Sequence, residues 1–599
     1  MASSCDHEQL CLGPSSHAQQ AGYARRTLQQ LTAATRPSGR APKAKEGSAA
    51  APEASTFPAP LVLPGDELSW DPKYDAQSLK SWLQEPDRNP VADERKTVYV
   101  VPVPAVAARV KHVKEWVQPK LPADAAKKAA TATARPDPTE VVQYLAAFYT
   151  NLPVKLLSEP KLQFTSWEDD RPARKRSKPS YIALSIGSEA VRIRARPSRD
   201  GIFGGQLNLD DILDAAIALL PSDAYALLLL VDHDLYEDED DDFCCGRAYG
   251  GSRVAVVSSA RYNPALDTAQ EVEVKHAWPA SHCQVYVDTC VRDATGDGAA
   301  PTKKKAKMTE KASRPPSSTS AMQAAIRAFS SIPESSQSDA ALWLARFCRT
   351  ASHELAHCFG IDHCVYYACS MQGSAGLSED ARQPPYLCPV DLAKMLHATG
   401  ADSTERYKAL LAFCERFEER DRTLVAFSAW LSAELASCGQ QHSAACAFES
   451  TVNGACRTMT VAGLARNGVL IVGWTAMMKE YICDVNYGMG VSMTPSIPDG
   501  SFIFVERLSR RWRSWERGDL VQLRSPTRHL GETITKRILA LEGDVVELQP
   551  RFDEERKGKI TVPKGHVWVE GDNPTCSVDS RHFGAVPAAL LIGRPFWII

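Results

Sequence analysis

The spacing of apolar positions predicts a mixed α/β fold over the middle of the chain. The predicted elements are a helix at 141–149, a strand approach at 153–164, a strand at 191–196, a helix at 209–220, strands at 224–231 and 253–258, and helices at 340–360 and 406–437. The run 224–231 is apolar throughout, which is typical of a strand buried on both faces. Trp430 and Leu431 lie on an apolar stripe of the last helix, which we expect to close the domain.

The remaining segments predict the domain boundaries. Residues 1–60 are rich in Ala, Ser, Pro and basic residues and predict a disordered tail, and a disordered insertion is expected at about 294–320. The segment 438–460 lacks periodicity and predicts a linker. A first domain is therefore expected at 61–437, with its core at 138–437, and a second, mostly β domain at 461–599.

Length and composition add to this picture. A chain of 599 residues is too long for one hydrophobic core, and its net charge of −3 gives no global field that would favour a nucleic-acid partner, so none is expected. The 17 cysteines are irregularly spaced, which favours reduced thiols over a disulfide framework. The twelve uncharged residues at 467–478 are fewer than the roughly 20 needed to span a bilayer. A tilted or interfacial membrane segment and a buried core helix both remain open for them.

A histidine motif near the middle of the chain predicts a metal site. In H-E-L-A-H-C-F-G-I-D-H, His353 and His357 stand four residues apart, so on a helix both imidazoles project from one face. Gly360 permits a turn that carries His363 round as a third ligand of zinc, with the fourth position open. Glu354 is placed to take a proton from a water there and pass it to a leaving amine. The alternative is a zinc scaffold without catalysis.

Residues after the motif extend the pattern to H-E-x-x-H-x-x-G-x-x-H-C-x4-C-x-M with a later C-P-x-x, which resembles the archaemetzincin family of zinc metalloproteases. The resemblance implies a metzincin-like α/β fold, Glu354 as general base and Met371 as a methionine turn beneath the histidines. It also implies a second, structural zinc on four cysteines. The matching positions are Cys364, Cys369, Cys388 and, in place of the fourth cysteine, Asp391. The second zinc site then either uses three cysteines and one aspartate as ligands (Cys3Asp) or binds zinc weakly. The alternative is that the three cysteines are buried thiols without a metal.

A second candidate site lies in the C-terminal domain. In T-I-T-K-R-I-L, Lys536 occupies an apolar alternating strand, where desolvation favours the neutral amine and lets it act as a base. Within hydrogen-bond reach of Ser492 it would form a serine–lysine dyad, a nucleophile activated without histidine. A surface lysine is the alternative, and periodicity alone does not decide between them.

Three segments of this domain together resemble the type I signal peptidase family, most closely its mitochondrial inner membrane protease branch. They are G-V-S-M-T-P-S-I-P-D-G, T-K-R-I-L-A-L-E-G-D and E-G-D-N-P-T-C-S-V-D-S-R-H-F-G-A-V-P. The resemblance implies Ser492 as nucleophile and Lys536 as general base. It further implies that Ser577 orients the lysine and that Asp579 and Arg581 brace the site.

Together these patterns predict a chain with two peptidase sites acting on peptides or proteins. The resemblance implies that the second site removes presequences of mitochondrial inner-membrane or intermembrane-space precursors, and that a second protease subunit at that membrane is a candidate partner. The first domain suits the cytosol or nucleus instead, so two locations stay open. One hypothesis is that two neighbouring reading frames have been joined artificially; another is that one half is a non-catalytic scaffold or partner subunit.

Overall fold

The chain forms two compact units, residues 1–453 and 454–599, in a computed structural model. The structure describes residues 5, 7–41, 56–86, 88–120, 133–167, 181–295, 320–417, 421–449, 483–488, 491–494, 496–498, 501–506, 515–524, 533–547, 559–573, 577 and 579–598. The division between the units falls inside the segment 438–460 that the sequence predicts as a linker.

The described residues of the first unit form two sheets. Its strands are, in chain order, β1 (Thr97–Val101), β2 (Ala105–Val106), β3 (Val154–Leu156), β4 (Leu162–Thr165), β5 (Tyr181–Ile186), β6 (Glu189–Arg196), β7 (Gln206–Asn208), β8 (Ala224–Val231), β9 (Asp234–Tyr236), β10 (Gly246–Tyr249) and β11 (Val254–Ser258). One sheet has the order β10-β11-β8-β1-β3 and the other the order β2-β4-β5-β6-β7-β9.

The five-stranded sheet is parallel except at one edge. Strand β8 pairs in parallel with β1 and β11, and β10 runs antiparallel to β11. Every residue of β8 is buried, so the predicted strand with two covered faces is confirmed. Because the apolar run leaves no polar face, helices must cover both sides of this sheet.

Helices supply that cover. Those of the first unit are α1 (Ser16–Ala21), α2 (Leu28–Ala34), α3 (Glu67–Trp70), α4 (Leu79–Leu83), α5 (Lys111–Glu115), α6 (Pro138–Phe148), α7 (Leu209–Ala218), α8 (Gln284–Thr295), α9 (Ala321–Ser331), α10 (Asp339–Cys358), α11 (Leu377–Arg382), α12 (Pro389–Thr399), α13 (Ser403–Glu415) and α14 (Arg422–Glu449). Helices α6, α7 and α10 confirm three predicted helices. Helix α10 packs on β10 and β11, which sets the position of the histidine motif against the sheet.

Two predictions about the end of this unit need correction. The helix expected at 406–437 is two helices, α13 and α14, and Asp421 caps the second by accepting a hydrogen bond from the backbone N of Leu424 at 2.6 Å. The predicted linker 438–460 begins as the continuation of α14 to Glu449. The first part of the segment 438–460 is thus helical although its sequence shows no amphipathic periodicity. Trp430 is fully buried on α14, as its place on an apolar stripe predicted.

Residues 7–41 are ordered, which contradicts the disordered tail predicted for 1–60. Tyr23 is buried with Val62, Leu68 and Val365, and its hydroxyl donates a hydrogen bond to the carbonyl of Val365 at 2.9 Å. A prediction from composition uses the average over a segment. It therefore does not detect a single buried aromatic residue, such as Tyr23, among small and polar residues.

The described secondary structure of the second unit is mostly strand, as predicted. Its strands are β12 (Cys483–Gly488), β13 (Ser501–Glu506), β14 (Leu520–Arg524), β15 (Thr533–Ala540), β16 (Val545–Glu547), β17 (Lys559–Thr561), β18 (His566–Glu570), β19 (Val586–Pro587) and β20 (Leu591–Ile598), with one short helix, α15 (Ser580–Phe583). Seven of them form a sheet in the order β12-β13-β20-β14-β15-β18-β19. Its core is small and aliphatic, built around residues such as Val521, Ile538 and Val569.

Two predicted segments lie outside the described residues. They are the apolar segment 467–478 and, apart from residues 294, 295 and 320, the insertion 294–320. Within the described ranges, no helix is both long enough and apolar enough to span a bilayer.

Candidate active sites

Three histidines converge at the C-terminal end of α10. His353 and His357 lie one turn apart on the helix, with their Nε2 atoms 3.1 Å apart. Gly360 follows the helix at a φ of 71°, a left-handed conformation that favours glycine, and the chain turns back toward the helix there. This turn brings His363 to the other two, so that one ligand atom from each residue lies within 4.8 Å of the others. The structure thus brings together the three residues that the motif singled out.

Each imidazole is oriented by a hydrogen bond on its other nitrogen. The Nδ1 atoms of His353 and His357 lie 2.7 Å from the carbonyl oxygens of Ser370 and Ile361. A carbonyl only accepts, so Nδ1 carries the hydrogen in both rings and Nε2 presents its lone pair. Orientation of a histidine ligand by a second hydrogen bond is typical of zinc sites, and this donor set fits zinc.

Burial sets the charge of these rings. It lowers the pKa of His353 well below its usual range and that of His357 to about 3, so both rings are neutral at neutral pH. Burial acts in the same direction on His363, but the hydrogen bond and charge of Glu67 outweigh it and raise that pKa. Neutral imidazole is the form that binds a metal, so two of the three rings are in their ligand form without any proton release.

Glu354 and Met371 complete the residues predicted around this site. Glu354 is only 9% exposed, and burial raises the pKa of its carboxyl to about 7. Strand β10 passes close to it at Gly246, where an added Cβ would lie 3.3 Å from Cγ of Glu354. Met371 is fully buried, and its carbonyl accepts a hydrogen bond from the backbone N of Cys364 at 2.7 Å.

Glu67 is a member of this site that the sequence analysis missed. Its Oε1 lies 3.0 Å from Nδ1 of His363, although 296 positions separate the two residues in the chain. Glu67 opens the short helix α3, in a region whose sequence carries no local metal-site pattern. A carboxylate, a histidine and a metal in this order form an arrangement that raises the basicity of the ligand and fixes its ring.

Replacing Glu67 with alanine is expected to weaken zinc binding by about 10- to 100-fold, because His363 loses the group that orients it. Competition between the protein and a chelator of known zinc affinity measures this change. Glu85→Ala, an exposed carboxylate just after α4, is the matched control and should bind zinc as the unmodified chain does. Equal zinc affinity in the Glu67 and Glu85 variants would exclude an orienting role.

A second group of potential ligands lies next to the histidines in sequence. Cys364, Cys369, Cys388 and Asp391 are all buried, and one ligand atom from each lies within 4.8 Å of the others. Oδ2 of Asp391 is 3.3 Å from Sγ of Cys369 and 3.4 Å from Sγ of Cys388, and the Sγ atoms of Cys364 and Cys388 are 3.6 Å apart. The aspartate therefore occupies the corner that a fourth cysteine would take.

Lys394 explains how an aspartate serves at this corner. The residue is 1% exposed, and its ammonium group donates to Oδ1 of Asp391 at 2.8 Å and to Oε1 of Gln77 at 2.9 Å. One carboxylate oxygen is thereby occupied, and Oδ2 is left facing the thiols. The donor set of three sulfurs and one oxygen fits a tetrahedral zinc ion.

Replacing Asp391 with alanine should remove one zinc ion per chain and destabilise the first unit by about 3 to 5 kcal/mol, because Lys394 becomes an unpaired buried charge. Asp391→Cys is the informative partner variant, since a fourth thiolate restores both a ligand and a negative charge beside Lys394. Zinc content and urea unfolding measure the two effects. Full zinc content and unchanged unfolding in the alanine variant would show that Asp391 is not a ligand.

The serine and lysine of the second unit lie within hydrogen-bond distance. Nζ of Lys536 is 3.1 Å from Oγ of Ser492, and the lysine is 3% exposed on strand β15. Ser492 lies in a short helical turn, Val491–Met493, and its carbonyl accepts a hydrogen bond from the backbone N of Asn573 at 3.0 Å. A buried amine within hydrogen-bond distance of a serine hydroxyl is the arrangement that a serine–lysine dyad needs.

The bracing residues of this site form one network. The hydroxyl of Ser577 donates to Oδ2 of Asp579 at 2.6 Å, and Nε of Arg581 donates to Oδ1 of the same carboxylate at 2.8 Å. Burial alone would raise the pKa of Asp579, but these bonds and the backbone N of Gly571 lower it to about 2. The aspartate is therefore ionised at every physiological pH. That Ser577 also orients Lys536 stays a prediction.

Gly571 is a residue of this site that sequence reasoning passed over. A Cβ at this position would collide with the hydroxyl of Ser577 and with the carbonyl oxygen of Ser492. The glycine directly follows strand β18, and a glycine at the end of a strand is a signal for close approach of another backbone.

Family comparisons match the two regions separately. A family model described as signal peptidase, peptidase S26, matches residues 461–552 and 548–599, and one described as peptidase family M54 matches residues 320–396. The second match encloses the three histidines and the Cys3Asp group, and the first encloses the serine and the lysine.

Individual relatives come from both kinds of peptidase. Mitochondrial inner membrane protease subunit 1 of Mus musculus is 41% identical over 120 residues, which are 20% of this chain and 71% of that protein. Archaemetzincin-2 of Macaca fascicularis is 47% identical over 72 residues, which are 12% of this chain and 20% of that protein. A solved archaemetzincin from Methanopyrus kandleri matches 52% of this chain and 99% of its own length at 14% identity, with a TM-score of 0.23.

Proposed function

This chain belongs to the signal peptidase family, peptidase S26, and carries a region of peptidase family M54, and we propose that it is a peptidase with two separate active sites. The first is a zinc metallopeptidase site at the three histidines, and the second is a serine–lysine site at Ser492. The observation that supports this most is the convergence of all three imidazoles. One ligand atom from each ring lies within 4.8 Å of the others, and each Nδ1 lies within hydrogen-bond distance of an oxygen.

At the first site, zinc bound by the histidines would supply Lewis acidity to a water and to the scissile carbonyl. Glu354 accepts the proton of the attacking water and delivers it to the leaving amine, so that the peptide C–N bond breaks and the proton is conserved. Glu67 keeps His363 oriented throughout. The Cys3Asp group would hold a second zinc ion that stabilises the loop between α10 and α12, giving two zinc ions for this region.

At the second site, Lys536 in its neutral form takes the proton of Ser492 as Oγ attacks the substrate carbonyl. The proton passes to the leaving amine, an acyl-enzyme forms on Ser492, and a water activated by the same lysine releases it. Backbone N–H groups, including that of Ser492, would hold the oxyanion. The ionised Asp579 fixes Ser577 and Arg581 beside the pair.

Substrates and location follow from the similarity of the second region. We propose that this site removes presequences of mitochondrial inner-membrane or intermembrane-space precursors, next to a second protease subunit at that membrane, because its relatives are named as mitochondrial inner membrane protease subunits. The M54 region by itself suits the cytosol or nucleus. Fractionation with an antibody against each unit distinguishes the two locations.

Hydrolysis by the full chain tests the proposal. We expect a zinc chelator to remove cleavage of a peptide library by the first site while leaving cleavage of a presequence-bearing precursor intact, and added zinc to restore the first activity. Absence of both activities in folded, zinc-loaded protein would contradict the proposal. Loss of both activities on chelation would contradict the separateness of the sites.

The two compact units also keep open the hypothesis that two neighbouring reading frames have been joined. Each unit holds its own candidate groups, so each would retain its site if it were made separately. Trypsin releases a peptide covering 423–457, which crosses the division between the units. Its detection in cell extract would establish a single polypeptide, whereas separate peptides ending near the division would favour two proteins.

A further inference from the structure

A third group of metal-type ligands lies away from both proposed sites. Cys5 and His7, near the N-terminus, meet His276 and Cys283, and one ligand atom from each lies within 4.8 Å of the others. We propose that these four residues form a Cys2His2 zinc site that fastens the N-terminal segment to the first unit. This site lies in neither matched family region.

The distances suit a tetrahedral ion. Sγ of Cys5 is 3.1 Å from Sγ of Cys283 and 3.4 Å from Nε2 of His276. Zinc–sulfur bonds of about 2.3 Å and zinc–nitrogen bonds of about 2.0 to 2.1 Å place tetrahedral ligand atoms about 3.3 to 3.8 Å apart. The sulfur–nitrogen distance fits this range, and the two sulfurs would move slightly apart when the ion binds. A disulfide needs about 2.05 Å between the sulfurs, so the two cysteines are not bonded to each other.

Backbone pairing holds the two segments in register beside this group. Leu10 forms a bridge with Cys283, the backbone N of Cys11 donates to the carbonyl of His282 at 2.7 Å, and that of Gln284 donates to the carbonyl of Gln9 at 2.9 Å. These bonds fix where the chain enters the group, so Cys5 and His7 reach Cys283 without a long flexible tether.

His276 is held as a metal ligand would be. Its Nδ1 lies 3.4 Å from Oε1 of Glu273, while Nε2 faces Cys5, and its ring stacks on Tyr286 with centroids 4.1 Å apart. The carboxylate of Glu273 therefore lies near one ring nitrogen and the thiol of Cys5 near the other, which suits a histidine that binds a metal. Two thiolates and two imidazoles are a donor set that selects zinc among the common divalent ions.

The site would have a structural purpose. The segment behind it packs against the region that carries Glu67: Tyr23 lies in one cluster with Leu68, and Cys11 in another with Leu63. Apart from Tyr23, few large apolar residues of this segment are buried. A zinc ion bound near its start would supply stability that the burial of apolar side chains does not. Composition predicted disorder for residues 7–41, and a zinc ion at this site would account for their order.

Zinc content of the full chain, purified with reductant, tests the proposal. We expect the double variant Cys5→Ser/His7→Ala to hold one zinc ion fewer per chain than the unmodified protein. His17→Ala, a histidine of the same segment that pairs with Ser69 at 2.9 Å, is the control and should keep the full zinc content. Equal zinc content in the double variant and the control would overturn the proposal.

Two further measurements guard against misfolding as an explanation. His7→Cys keeps a zinc-binding donor set and should keep the full zinc content, whereas a zinc loss equal to that of the double variant would indicate damage rather than a lost ligand and would overturn the proposal. Trypsin cleavage after Arg25 and Arg26 should be slow in the unmodified chain and faster in the double variant. A Cys5–Cys283 disulfide in protein prepared with blocked thiols would also overturn it.

Discussion

Glu354→Gln is expected to lower hydrolysis at the zinc site by about 10³-fold, the contribution typical of a general base. The amide has the same shape as the carboxylate, so the buried side chain fits where Glu354 lies, but it cannot accept the proton of the attacking water. Turnover of a library-selected peptide and zinc content, measured on the same preparation, check this result.

The zinc content separates a catalytic role from a structural one. We expect the Glu354 variant to keep all its zinc, because the three histidines and their orienting bonds are unchanged. Glu405→Gln, an exposed carboxylate on α13, serves as the control and should retain full activity. Hydrolysis within a few-fold of the unmodified chain would contradict the base role and leave the scaffold alternative for this region.

The histidine site shows what local spacing can predict. Two ligands four positions apart on a helix share a face whatever the rest of the fold does, and a glycine just beyond the helix permits the turn to the third. His353, His357 and His363 therefore followed from the sequence alone. Glu67 did not, because it reaches His363 across 296 positions and only the tertiary fold brings it there.

The Cys3Asp group shows a different limit. The sequence identified Asp391 as a departure from four cysteines and left its ligand role open. The structure adds Lys394, which donates to one oxygen of the carboxylate and also donates to Gln77. A buried lysine in a helix has no periodic signature that distinguishes it from a surface lysine, so this support could not be predicted.

Order in the N-terminal segment was the largest error of the sequence analysis. Its bias toward alanine, serine and proline predicts too little apolar burial to offset the entropy of folding. The structure places Tyr23 and Cys11 in two small clusters and pairs Leu10 with Cys283. Such contacts depend on a surface built by distant residues, which composition does not contain.

The candidate site of the second unit was predicted from three separate sequence segments. The structure places Nζ of Lys536 3.1 Å from Oγ of Ser492. The alternating pattern around Lys536 could not decide between a buried base and a surface lysine. Its 3% exposure decides for burial. Burial of an amine disfavours its charged form, and the neutral form is the one that a base requires.

Ser492→Ala and Lys536→Met are each expected to abolish precursor cleavage at the second site. Loss of the nucleophile in an acyl-transfer enzyme costs on the order of 10⁶ in turnover, and loss of its base costs a similar factor because the two act as a unit. The double variant should therefore be no worse than either single one. Cleavage of a presequence-bearing precursor, followed by mass spectrometry of the products, measures the effect.

Methionine is chosen at position 536 because it fills the buried space of the lysine stem without its charge, so folding should be retained. Lys564→Met, on the exposed turn before β18, is the matched control and should cleave the precursor normally. Effects of the single variants that multiply in the double variant would show that the serine and lysine do not act together. Normal processing by either variant would instead favour an inactive partner subunit, with its serine and lysine retained only as part of a polar core.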